Sequence, residues 1–197
     1  MMNACTRWSL LAVPVLTALG CSDPVPLPSQ GAVSLNIKSV AVNEMSCPLT
    51  AKLYQVYDTG TAGFTAPSSS NPGNSVVDGD SGASVSCSVQ GSGPFTFSGS
   101  LTGNTSEHQK ITVTLSNGTV DANKSTGTVN VNVYTPDLLA AFSNGSTPCT
   151  VTVNNKQLNA GKPGSIWLNF SCPTIAYPPS SLCGIDTSTI VFQNCNG

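Results

Sequence analysis

Charge is scarce in this chain of 197 residues: Asp, Glu, Lys and Arg together make up 8% of it, about a third of the share in ordinary soluble proteins. Its only arginine is Arg7 and its only histidine is His108. Beyond the first twenty residues, six lysines (Lys38, Lys52, Lys110, Lys124, Lys156 and Lys162) face nine acidic residues, a net charge of −3. Nucleic acid is therefore excluded as a partner, because neutralising phosphates needs clustered Lys and Arg. The missing guanidinium fork also removes the usual clamp for carboxylates and phosphates. No cysteine pair has Cys-x-x-Cys spacing, which with a single histidine makes a zinc site a poor reading. There is no Gly-x-Ser-x-Gly elbow. No apolar run reaches the roughly 20 residues that a membrane-spanning helix needs. Ser, Thr, Asn and Gly fill the places that charge leaves empty.

What is present begins at the start of the chain. Arg7 precedes a mostly apolar run from Trp8 to Leu19, interrupted by Pro14. Small Gly20 then precedes Cys21, and the Pro-rich stretch Ser22-Asp23-Pro24-Val25-Pro26-Leu27-Pro28 follows. A charged segment, a short apolar segment and small residues at its end are the parts of a secretory signal. Thr17-Ala18-Leu19-Gly20-Cys21 resembles the end of a bacterial lipoprotein signal peptide. The resemblance covers about an eighth of the chain and implies that Cys21 accepts the lipid. It also implies that Ser22, in place of Asp, directs the protein to the outer membrane. In that family Leu usually sits three residues before the Cys; here Ala18 and Leu19 stand in the reverse order. Ala18 and Gly20 equally fit an ordinary cleavage site, which would release a secreted protein starting at Cys21. The expected organisation is a signal peptide at 1–20, a lipidated cysteine and tether at 21–31, and one domain at 32–197.

Eight cysteines sort by position. Cys5 lies in the leader and Cys21 at its end. Cys47, Cys87, Cys149, Cys172, Cys183 and Cys195 remain, an even set that reads as three disulfides in an exported chain.

Period-2 alternation dominates the rest, the pattern of half-buried strands. Val33, Leu35 and Ile37 alternate with polar residues, as do Val85, Cys87 and Val89; Ile111, Val113 and Leu115; and Val129, Val131 and Val133. Phe95, Phe97 and Leu101 share a face, as do Cys149, Val151 and Val153, and Ile166, Leu168, Phe170 and Cys172. Ile190 to Phe192 reads as a short last strand. Turn signals at 91–94, 117–118 and 161–164 separate these runs. Thr135-Pro136-Asp137 suits the start of one short helix running to Phe142. Residues 58–82 are a long polar stretch, either a mobile loop or an irregular excursion. The fold class expected is all-β: an antiparallel β-sandwich of seven or eight strands, stapled by disulfides, with at most one short helix. Pairing 149–153 with 166–172 so that Val151 faces Phe170 sets Cys149 opposite Cys172, within disulfide reach. Cys183 and Cys195 then remain to pin the last strand, and Cys47 and Cys87 form the third pair.

Few residues suggest chemistry. His108 reads as a solvated loop residue, since a catalytic histidine needs a nucleophile and an orienting partner. Asp78-Gly79-Asp80-Ser81-Gly82 lacks the ligand count of a calcium loop and reads as a turn. Five Asn-x-Ser/Thr sequons, at Asn104, Asn117, Asn123, Asn144 and Asn169, follow from composition in a bacterial lipoprotein. Trp167 is the most suggestive residue: alternation aims it away from the core face, beside Asn169. With Tyr54, Tyr57 or Tyr134 it would form an aromatic platform for a sugar or a partner. The bland reading, that Trp167 packs under the 58–82 stretch or that both faces are covered, is the favoured one, because large aromatics are usually buried. The expectation is a lipid-anchored envelope protein acting as a binding or structural module, with a glycan or an envelope protein as partner. No catalytic residue, metal ligand or cofactor is assigned. The alternatives are a carbohydrate- or surface-binding domain using Trp167 and loops, and a secreted hydrolase with an unrecognised site.

Overall fold

A computed structural model describes residues 25–42, 45–60, 63–91, 94–121, 125–138, 140–154, 164–177 and 181–196. The strands are β1 (Gln30–Ser39), β2 (Ala41–Val42), β3 (Met45–Ser46), β4 (Lys52–Val56), β5 (Val76–Val77), β6 (Ser84–Gln90) and β7 (Phe95–Asn104), followed by β8 (Lys110–Asp121), β9 (Thr126–Tyr134), β10 (Phe142–Ser143), β11 (Cys149–Val153), β12 (Ile166–Tyr177) and β13 (Ser181–Gln193). The all-β expectation holds, and the described residues contain no α-helix. The strand count was too low. Thirteen strands join in one hydrogen-bonded sheet, antiparallel except where Ser46 of β3 meets Ser181 of β13.

The path runs β6–β7–β8–β9; β10 and β11 each bridge β9 to β12; then come β12–β13–β1–β4. The two ends of this path lie against each other. A Cβ at Gly99 of β7 would fall 2.7 Å from Phe192 Cζ of β13, and one at Gly103 would fall 2.5 Å from Val56 Cγ1 of β4. At both positions only glycine leaves room for the opposing side chain, so the sequence allows close approach where the sheet returns on itself. The alternating apolar residues read from the sequence enter the resulting core, among them Val33, Leu35, Val89, Leu101, Val113, Val131, Val151 and Phe170, with Phe95 left half-buried outside it.

Three expectations need correction. Residues 136–138 form a turn rather than the start of a helix. Leu138 N–H reaches Thr135 O at 3.0 Å in a single turn, and the chain is then recruited as β10 against β9. The last strand is thirteen residues long, not three. Polar Asp186, Thr187 and Ser188 hid it by breaking the alternation, and the β12–β13 register shifts between Phe170 and Cys172. The cysteine pairing also differs. Cys149–Cys172 forms in the expected register, with Val151 facing Phe170 and Val153 facing Leu168. The other bridges are Cys47–Cys183 and Cys87–Cys195, in place of 47–87 and 183–195. Both tie distant chain to β13 or its end. β13 lies beside β1, whose continuation carries Cys47, and Asn196 donates to Cys87 O at 3.0 Å along the β6 edge.

The 58–82 stretch is an irregular excursion containing β5 and a 3-10 turn at Asp80–Gly82. Its own backbone bonds hold it: Asp58 N to Asn74 O at 3.0 Å, Asn74 N to Thr65 O at 3.0 Å and Ser68 N to Asn71 O at 2.7 Å. β5 pairs with the start of β1, while the Asn154 side chain donates to Ser69 O at the end of β11.

Candidate functional site

Trp167 is fully buried, so it is no exposed platform. It sits on β12 opposite Val191 of β13, which in turn pairs with Ala32 of β1. All three point away from the main core, yet none is more than 1% exposed. The excursion reaches this part of the sheet, where the Asn154 side chain donates to Ser69 O. Asn154 N–H also donates to Trp167 O at 3.0 Å. The indole Nε1 has no hydrogen-bond partner among the described residues, so within them Trp167 serves as packing rather than as a polar contact. The tyrosines suggested as its companions scatter. Tyr54 is buried, Tyr134 is half exposed on β9, and Tyr57 lines a separate cleft.

Cys21 and the leader lie outside the described residues. The six downstream cysteines are all bonded to one another. Three disulfides place the folded chain in an oxidising compartment. Among the described residues no helix is long and apolar enough to cross a membrane.

One half-buried polar cluster orders the turn before β10. Asp137 Oδ2 accepts from Lys52 Nζ at 2.6 Å and from Tyr54 OH at 2.7 Å. Lys52 also donates to Gln109 Oε1 at 3.2 Å, and its ammonium stands 5.0 Å from the Tyr54 ring centre. Burial pushes the Tyr54 phenol up to about 12, reinforced by Asp137, while a hydrogen bond from Thr135 opposes the rise. The bond from Lys52, then that from Tyr54, lowers the Asp137 carboxyl. Every charge here has its partner, so the cluster reads as an anchor for β4 and the turn.

The outward face of β6–β9 is different in kind. Its side chains are hydroxyls and amides that bond across strands: Ser100 with Thr114 at 3.1 Å, and Thr102 with Thr112 at 2.9 Å. A shallow groove of about 430 Å³ crosses it, bordered by Ser88, Thr96, Ser98 and Thr119.

A polar cleft lies at the end of the sheet where β4, the excursion and the β7–β8 turn meet. It is a cleft of about 310 Å³ that includes Tyr57, Asp58, Asp80, Ser81, Asn104 and His108. Val56, Val76 and Ala83 supply its apolar lining. Asp78 does not join Asp80 there as a ligand pair; its Oδ1 accepts Val85 N–H at 2.7 Å and closes the turn. His108 is on the rim, and its imidazole hydrogen-bonds to neither carboxylate among the described residues. Among those residues no group of three His, Cys, Asp or Glu could hold a metal ion. The cleft escaped sequence reading because its parts come from positions 56–60, 76–83 and 103–108. A signal existed in the polar 104–109 turn around the only histidine, but nothing in the sequence joined it to Tyr57.

This is an all-β, disulfide-stapled domain. Comparison with known proteins finds no family model, no curated protein and no solved structure that the chain matches.

Proposed function

We propose that the protein is an exported module held at the cell envelope, at the outer membrane, by lipid on Cys21, and that it binds or scaffolds rather than catalyses. The observation that carries this reading is the closed set of disulfides. Six downstream cysteines satisfy one another, so none is left to pair with Cys21, whose thiol stays available for acylation at the end of the leader. The segment after it suits a tether. Val25 and Leu27 are exposed at 86% and 72%, and β1 begins only at Gln30. Pro24, Pro26 and Pro28 favour an extended chain of roughly 3 Å per residue, which holds the domain off the lipid surface. We read the returning sheet as a sandwich-like body whose loops and outward face are free to meet partners.

A single acyl chain binds a membrane only marginally, whereas two or more hold it stably. Mass spectrometry of the native protein should find Cys21 carrying a diacylglycerol thioether. Cys21→Ser should move the protein from the membrane fraction to the soluble fraction or leave it as uncleaved precursor. An unmodified Cys21 at the mature N-terminus overturns the anchor and leaves a secreted protein.

A further inference from the structure

We infer that the cleft between β4, the 3-10 turn and the β7–β8 turn binds a neutral glycan end. This deepens the binding-module reading above by giving it a site and a ligand class. Four features of the cleft point there.

Its charge excludes other ligands. Asp58 and Asp80 line it, Glu107 stands in the adjoining turn, and no lysine or arginine does so. A phosphate, sulfate or carboxylate would meet repulsion without a compensating cation. The side-chain set for a metal ion is also missing among the described residues.

Most of its polar groups are unspent. The side chains of Tyr57, Asp80 and His108 have no partner within the described protein, and Asp58 uses only Oδ1, on Gly60 N–H at 2.8 Å. Carboxylates accept strong hydrogen bonds from hydroxyl groups, and Asn104, whose Nδ2 donates to Ser81 O at 3.5 Å, keeps a second N–H to donate and Oδ1 to accept. A sugar offers hydroxyls of both kinds and an apolar C–H face. The half-buried Tyr57 ring and the Val56, Val76 and Ala83 lining suit that face.

Its rim is held in unusual backbone. Ser81 and His108 adopt φ of 49° and 61°, the left-handed region that residues other than glycine seldom enter. Such residues cluster at binding sites, where the surroundings enforce them. Here Ala83 N–H bonds to Asp80 O at 2.7 Å and His108 N–H to Thr105 O at 2.8 Å.

Its size is limiting. At about 310 Å³ it stands at the small end of the range of ligand sites, about 300–1,000 Å³. A terminal sugar enters; a long stretch of chain does not.

The test is an array of immobilised neutral glycans, with sialylated and sulfated glycans as the anionic arm, probed with the purified full chain. Titration calorimetry follows with the neutral oligosaccharide that is best retained. The expected result is retention on neutral glycans only. Asp80→Asn and Tyr57→Ala should each weaken binding roughly tenfold or more, the loss expected of a charge-assisted bond or a stacked ring. Thr152→Ala, on β11, should bind as the unaltered protein does. Absence of retention, preference for anionic glycans, or affinity unmoved by the cleft variants overturns the inference. If the array is blank while Cys21 is lipidated, the cleft fails and the anchored module stands. If a secreted, unlipidated protein binds neutral glycans through the cleft, the anchor fails and the cleft stands.

Discussion

The strands β12, β13 and β1 and the strands β6 to β9 are built from similar residues yet are buried in opposite ways. In β6 the pattern is strict: Val85, Cys87 and Val89 are buried, and Ser84, Ser86 and Gln90 are exposed. In β13 the residues from Thr189 to Phe192 are buried without a break, and in β12 so are Ile166, Trp167 and Leu168. One region has a core on one side and water on the other. The other is buried on both faces. A strand with two covered faces carries apolar residues continuously, and there alternation no longer tells inside from outside. There the outward reading of Trp167 fails, and the packed reading that its size favoured holds.

The strongest way to break this contrast is to cut the links that fasten the covered region. Cys87–Cys195 spans 108 residues and Cys149–Cys172 spans 23. Loop-closure entropy assigns them about 5 and about 3 kcal/mol respectively, as model-dependent upper values. Cys87→Ala/Cys195→Ala should therefore lower the denaturant midpoint more than Cys149→Ala/Cys172→Ala does. The reverse order, measured by urea titration, would show that the β6 edge is held by something other than the bridge.

Trp167→Ala comes next, at about 3–5 kcal/mol, the cost of truncating a buried aromatic. A melting temperature within a degree or two of the parent would return Trp167 to the surface.

Asn144 joins β9 to the turn after β10, accepting from Val131 N–H at 2.7 Å and donating to Thr147 O at 2.6 Å. Asn144→Ala leaves these buried groups unpaired and should cost about 1–3 kcal/mol. No measurable loss would mean that water replaces the amide.

The Tyr54 phenol has a smaller, pH-dependent effect. Its folded-state value is raised from 10.0 to about 12, so the protonated form is favoured in the fold. The associated stability is complete below pH 10 and is lost as the pH rises toward 12. Urea midpoints measured quickly between pH 9 and 12 should fall, and Tyr54→Phe should flatten that fall. Identical slopes in both proteins refute the assignment. Asp137 acts at the other end: its lowered carboxyl contributes above the ordinary value of 3.8 and the contribution fades in stronger acid. Because Asp137 is 32% exposed, solvent screens the effect.

The smallest effect is expected on the open face. Thr114→Val on β8 should stay within about 0.5 kcal/mol, since its bond to Ser100 is solvent-accessible. A large loss would indicate that this face, too, is covered.

The sequence by itself determined the strand-rich class, the open-face alternation of β6 to β9, and the one disulfide whose partners share a local pair of strands. These depend on side-chain period and short-range register, which are written residue by residue. Tertiary structure alone decided the length of β13, the partners of Cys47, Cys87, Cys183 and Cys195, and the assembly of the cleft. Each of these depends on which strands lie side by side and on where the excursion crosses. Such neighbours are separated by as many as 136 residues, and no local periodicity records what the chain meets at that range.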